Sequence, residues 1–319
     1  MAAEDRCHFP YEETFMLFSS IPFLYYFLPA VLIAYFLAPQ KLKNAVLLLF
    51  SLVFYGWGEP KLVFLMLFTI AVFYVCGLAI GQAKQHRWKK FWLTVSVVVS
   101  LGLLGVFKYA DFFLSSVNAV TGLGIPLLKL ALPVGISFYT FQCLSYTVDV
   151  YRGTCKAENN FFRLALFVSF FPQLVQGPIS KFTQLAPTLY APKRFDGKTV
   201  SFGLQRMLWG YFKKLVVADR IAVAIGTLKG AEYTGVGFLL LSLFYAVQIY
   251  GDFTGGIDVT IGLAETMGVR LPENFIRPYF SKNIAEYWRR WHISLGAWMK
   301  DYIFYPISVS GPMRDLSKW

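Results

Sequence analysis

Residues 61–82 read KLVFLMLFTIAVFYVCGLAIGQ, and between Lys61 and Lys84 the chain carries no charged side chain. A helix needs about 20 apolar residues to cross the hydrocarbon core of a bilayer, and this stretch supplies them without the polar face that a soluble helix keeps toward water. The pattern recurs along the chain. Apolar segments run approximately over 18–38, 44–58, 61–82, 91–117, 127–150, 161–177, 201–225, 236–264 and 284–308, each bounded by Pro, Gly or charged residues. The reading is an all-α polytopic membrane protein, an irregular bundle of about eight to ten transmembrane and re-entrant helices. Segments 44–58 and 161–177 are short, and Pro133, Gly135 and Pro172 interrupt theirs, as in broken helices that face protein or water.

Composition agrees. Hydrophobic residues make up 56% of the chain and charged residues 15%, with a mean hydropathy of +0.52, outside the balance of an ordinary soluble domain. The net charge of +12 does not indicate nucleic acid, because Lys and Arg collect in short connectors between apolar runs. Cys7, Cys76, Cys143 and Cys155 show no paired spacing, so neither a disulfide framework nor a metal site is indicated. The acidic start (Glu4, Asp5, Glu12, Glu13) lacks a basic leader, and the first apolar run is read as a retained helix.

Lys41 and Lys43 precede the second segment, and Lys84, Arg87, Lys89 and Lys90 precede the fourth. Two spans separate these loops, so they share one side, and the positive-inside rule makes that side cytoplasmic. Tyr25, Tyr26, Tyr55, Trp57, Trp88 and Trp92 near segment ends fit interfacial aromatic belts. No internal repeat or linker is visible.

Ionisable groups inside apolar segments are costly and mark functional or structural pairing. YGDFTGGIDVTIGLAE places Asp252, Asp258 and Glu265 in an otherwise apolar helix; Asp258 and Glu265 share a face, and Gly255 and Gly256 permit a kink or close packing. Either these carboxylates pair with neighbouring Arg residues to hold helices together, or Asp252, Asp258 and Arg277 form the charge pathway of a transporter or channel. The absence of matching broken helices in two halves weighs against the transporter. Of three histidines, His8 lies in the polar N-terminus and His86 in a basic loop; only His292 is embedded in an aromatic helix, with Trp288 one turn before it. An imidazole in a partly apolar cavity suits general-base activation of a hydroxyl, although a lone helical histidine also serves as a packed, hydrogen-bonded residue. Arg289 and Arg290 beside it either bind an anion or snorkel. Asn274 and Asn283 are candidates to stabilise an oxyanion. Trp291 and Asp301 complete the set of candidate substrate-binding residues, with Asp252, Asn274, Arg277, Asn283, Arg289 and Arg290.

The run DFTGGID, then GVRLPENFIRPY and EYWRRWHISLGAWMKDYIFYPI, closely resembles the membrane-bound O-acyltransferase (MBOAT) superfamily, in its bacterial branch of alginate O-acetyltransferase-like and D-alanyl-lipoteichoic-acid-exporter-like proteins. MLFSSIPFLYYFLP, FYGWGEPK, LPVGISFYTFQCLSYTVDVYRG, FFPQLVQGPI and KKLVVADRIA look like that branch in the same order, so the resemblance covers Met16 to about Ile307.

The resemblance implies a multi-pass enzyme of the bacterial plasma membrane. Such an enzyme passes an acyl group from a cytoplasmic thioester, acetyl-CoA or an acyl carrier protein, to hydroxyls of an exported polysaccharide or teichoic acid, with no permanently bound cofactor. His292 matches the first of the family's two characteristic histidines and is the catalytic candidate. The second, in a WHG-like motif, has no counterpart before Trp319, so the expectation is a domain over 16–319 lacking its C-terminal part, with 1–15 an extension outside the fold. On that ground an inactive scaffold stands as an alternative. The GWGEPK and LPENFIRPY wording favours acetyl over D-alanyl transfer. The acetyl branch implies an extracytoplasmic acetylation partner, the alanyl branch a carrier protein.

Overall fold

A computed structural model describes residues 16–228 and 235–309. The acidic N-terminus with Cys7 and His8, the extension assigned to residues 1–15 and the chain end at Trp319 lie outside the described residues.

A π-type turn over Pro22–Phe27 leads into α1 (Leu28–Leu37), followed by α2 (Lys43–Gly58) and α3 (Leu62–Gln82). Next, α4 (His86–Leu104) runs through a second such turn into α5 (Ala110–Thr121). Then come α6 (Ile136–Arg152), α7 (Phe161–Ser169), α8 (Phe171–Leu174) and α9 (Phe182–Leu189). α10 (Gly197–Tyr211) passes through Phe212–Ala218 into α11 (Asp219–Leu228), and α12 (Gly235–Thr266) follows. The described chain closes with α13 (Ile284–Arg290), α14 (Ile293–Met299) and α15 (Tyr305–Ser308). Among the described residues there is no β-strand, only an isolated antiparallel bridge between Phe275 and Trp291.

Among the described residues, three helices are long and apolar enough to cross a membrane: Leu62–Gln82, His86–Thr121 and Gly235–Thr266; Pro22–Leu37 and Lys43–Gly58 are shorter apolar helices. The remaining segments depart from the sequence reading for local reasons. The 127–150 segment is helical only from Ile136, after an irregular stretch that contains Pro126 and Pro133 and ends on left-handed Gly135. The 161–177 segment splits at Phe170, because Pro172 starts a new short helix instead of continuing the old one. The 284–308 segment is not one helix either; it breaks at His292.

The deciding stretch explains its own packing. Met66, Ile70, Phe73, Cys76 and Ile80 of α3 are buried, a spacing of three to four residues that forms one stripe, while Phe64 and Phe68 face outward. Without a hydrophobic drive between helices in lipid, close backbone approach matters more. Gly77 meets the ring of Tyr146 on α6, where an added Cβ would lie 2.7 Å from it. The longest seam joins α10 and α12, which run antiparallel. A Cβ on Gly203 would sit 2.6 Å from the Gly262 carbonyl oxygen, and one on Gly210 would sit 2.7 Å from that of Gly255. Thus Gly255 serves close packing, and α12 continues through Gly255 and Gly256 without a break.

The basic loops share one face. Gln40 and Lys43 both donate to the Lys193 carbonyl at 2.7 and 3.1 Å, Lys193 reaches the Gly268 carbonyl, and the Tyr151 hydroxyl lies 3.3 Å from His86 Nε2. The C-terminal end of α12 therefore belongs to this basic face. Cys76, Cys143 and Cys155 are all free.

Candidate active site

Between α12 and α13 the chain makes an irregular excursion that returns to pair with itself. The Ile276 N–H donates to the Arg290 carbonyl and the Ile293 N–H donates to the Asn274 carbonyl, each at 3.0 Å, on either side of the Phe275–Trp291 bridge. Those bonds take Trp291 out to extended backbone and force His292 into the left-handed region, φ 48° and ψ 52°, before α14 begins. The sequence reading placed His292 within a continuous helix. Instead it stands at the break between two seven-residue helices, because the bridge competes for the backbone groups that a helix would use.

The break aims the imidazole at a buried amide. Asn274 is 0% exposed, and its side-chain oxygen accepts from both the N–H and the hydroxyl of Ser294 at 2.9 Å. Its Nδ2 lies 3.0 Å from His292 Nδ1. The Ser294 hydroxyl in turn accepts the Ile179 N–H at 3.0 Å, tying α14 to the loop after α8. Phe253 of α12 meets the imidazole edge-to-face, centroids 5.0 Å apart. Phe275 packs at 5.0 Å and Tyr287 at 5.6 Å on Trp291, giving the ring an aromatic wall. Phe253 lies about 20 Å along α12 from Thr266 and about 27 Å from Gly235, so the half-buried imidazole sits far from either end of that helix.

Of the other candidates, Trp291 and Asn274 surround His292 directly. Asn283 caps α13, its Oδ1 accepting the Glu286 N–H at 2.8 Å. Arg290 pairs with Glu286 at 2.5 Å, one turn apart, and Arg289 bonds the Ala285 carbonyl at 3.1 Å. The side-chain oxygens of both asparagines are therefore occupied within the protein. Asp301 lies elsewhere, paired with Lys181 beside Tyr302, which donates to both carboxylate oxygens of Asp149 at 2.9 Å. Asp252 bonds Lys214 at 2.7 Å, and Lys214 also reaches Asp219 at 2.8 Å.

Arg277 lines a cleft of about 440 Å³ next to the aromatic wall, with Arg206, Lys213, Asp258, Glu273 and Phe275. Arg206 holds Asp258 at 2.9 Å and grips Glu273 with two bonds of 2.7 and 2.6 Å, and Lys213 also pairs with Asp258. The helix-pairing reading of Asp258 fits this network. Three cations thus meet two carboxylates, and among the described residues Arg277 makes no ion pair with either. Its backbone is left-handed, φ 45°, the second non-glycine residue of the excursion held there.

Sequence reasoning missed Ser294, Phe253, Arg206 and Lys213. Only Ser294 carried a local signal, a hydroxyl two residues after the histidine in an apolar run.

The stretch that builds this site also decides the kinship. Residues 157–314 match the profile of the MBOAT, membrane-bound O-acyltransferase family. The probable alginate O-acetylase AlgI of Pseudomonas aeruginosa is 41% identical over 304 residues, 93% of this chain and 58% of that protein. The chain belongs to the membrane-bound O-acyltransferase family. A second relative, the peptidoglycan O-acetyltransferase of Helicobacter pylori, is 33% identical over 92% of the chain and 62% of its own length. The teichoic acid D-alanyltransferase of Bacillus subtilis is 30% identical over 54% of the chain and 44% of its own length. The MBOAT chain described here thus spans about three fifths of the first two relatives. With three helices of spanning length, it is a multi-pass membrane protein.

Proposed function

We propose that this protein is an O-acyltransferase that moves an acetyl group from a thioester donor at the basic, cytoplasmic face to hydroxyls of an exported polysaccharide. The observation that carries the proposal is His292: a half-buried imidazole held by a fully buried amide, on the excursion that the family profile covers. Acetyl is favoured over D-alanyl because the two O-acetyl relatives align over nearly the whole chain and the D-alanyl relative over 54%. Acetyl-CoA or an acyl carrier protein would supply the thioester, and an extracytoplasmic acetylation partner would complete the polymer's modification.

Arg277 is the substrate contact this reading favours among Asp252, Arg277, Arg289, Arg290 and Asp301, since the other four have partners. Alginate carries one carboxylate per sugar, and the cleft has one cation in excess. The test is transfer of labelled acetyl from donor to alginate by the protein in proteoliposomes. Arg277→Gln is expected to raise the KM for alginate by about 10- to 100-fold, the value of one charge-assisted hydrogen bond, and to leave the donor KM unchanged. No label transferred to any polysaccharide by the wild-type protein would refute the proposal.

A further inference from the structure

We infer that His292 works with its proton on Nε2, as a hydrogen-bond donor to the acyl carbonyl oxygen, and that Asn274 and Ser294 are positioning residues which select this tautomer. The inference rests on the acyl-transfer reading above for the identity of the carbonyl, and on geometry alone for the tautomer.

The chain of bonds leaves one consistent assignment. The Ser294 backbone N–H can only donate, so the atom of Asn274 that faces it at 2.9 Å is the amide oxygen. The Ser294 hydroxyl accepts the Ile179 N–H at 3.0 Å, which leaves its own hydrogen for the same oxygen, also 2.9 Å away. Two donors fill the two lone pairs of that oxygen. The other end of the amide, Nδ2, carries hydrogens and stands 3.0 Å from His292 Nδ1, so Nδ1 accepts and the ring hydrogen resides on Nε2. The opposite tautomer would direct a third donor at the filled oxygen from 3.2 Å and set the Nδ1 hydrogen against an amide hydrogen.

A general base acting through Nε2 needs that nitrogen bare, which this arrangement opposes. A donor needs it protonated, which the arrangement supplies. In the reaction the acceptor oxygen forms a bond to the thioester carbonyl carbon, the C–S bond breaks, and the hydroxyl proton ends on the released thiol. His292 keeps its Nε2 proton throughout and hydrogen-bonds the carbonyl oxygen as negative charge gathers there.

The test uses the protein with ¹³C,¹⁵N-labelled histidine in lipid nanodiscs, in a His8→Gln, His86→Gln background that leaves His292 as the one labelled ring. Carbon–nitrogen correlations identify the protonated nitrogen without any turnover. Expected is a proton on Nε2; in Ser294→Ala, which frees a lone pair on the Asn274 oxygen, a population with the proton on Nδ1 should emerge. A wild-type ring protonated on Nδ1, or a Ser294→Ala spectrum identical to wild type, would overturn the assignment even if no transfer activity were found. Kinetics then test the role: His292→Gln, whose amide N–H can stand in for Nε2–H but cannot act as a base, should keep kcat within about tenfold, while His292→Ala should lose about 10²- to 10³-fold. Equal losses in the two variants would overturn the donor role.

Discussion

Replacing Asn274 with leucine, a side chain of similar volume, is expected to lower thermal stability sharply and to bring acyl transfer down by two orders of magnitude or more. The amide is wholly buried and serves three groups: the Ser294 N–H, the Ser294 hydroxyl and His292 Nδ1. Leucine fills the space and answers none of them. A buried polar group without a partner costs about 1–3 kcal/mol, and the hydroxyl can rotate elsewhere, so the net loss should be about 3 kcal/mol. Catalysis suffers separately, because the imidazole loses the contact that sets its orientation and proton position. Unfolding midpoints in detergent and single-turnover transfer measure the two effects. Asn274→Leu with wild-type stability and wild-type kcat would mean that the amide network is incidental.

The second large effect belongs to the glycine seam. Gly262→Leu should prevent α10 from docking on α12 and leave no monodisperse folded protein. The obstacle at 2.6 Å is the Gly203 carbonyl oxygen, which is backbone and cannot rotate away as a flexible side chain would. Gly262→Ala already places a Cβ at that distance and should cost about 1–3 kcal/mol. Because Asp258 and Arg206 meet across the same pair of helices, separating them also dismantles the charged cleft. Size-exclusion profiles and unfolding midpoints of both variants decide the matter; a monodisperse Gly262→Leu protein would show that the seam tolerates separation.

Much of this architecture was legible in the sequence because apolar length is a physical requirement of the bilayer. The 61–82 run, the basic loops and the long apolar course of 236–264 all correspond to features of the structure. Proline and glycine positions foretold the broken segments near Pro133 and Pro172. The course of 284–308 was not legible. Its apolar and aromatic content reads as one helix, whereas the break at His292 depends on backbone bonds to Ile276 and Asn274, residues whose approach only the fold determines. The same holds for the charged cluster. Asp258 declared itself as an acid in an apolar run, but nothing in the local pattern named Arg206, 52 positions away, as its partner. His292 was singled out from the sequence; Ser294, two residues on, was passed over because its action on the imidazole runs through Asn274, a contact that only the fold creates.

The left-handed backbone at His292 sets two demands on one position against each other. Glycine adopts φ 48° without steric cost, whereas any side chain held there carries strain, about 1–2 kcal/mol. His292→Gly would therefore relieve the backbone while erasing the imidazole. Directed evolution for thermal tolerance alone would drift toward a quieter, chemically blank protein at this residue, so a library built to harden this scaffold should hold residue 292 fixed.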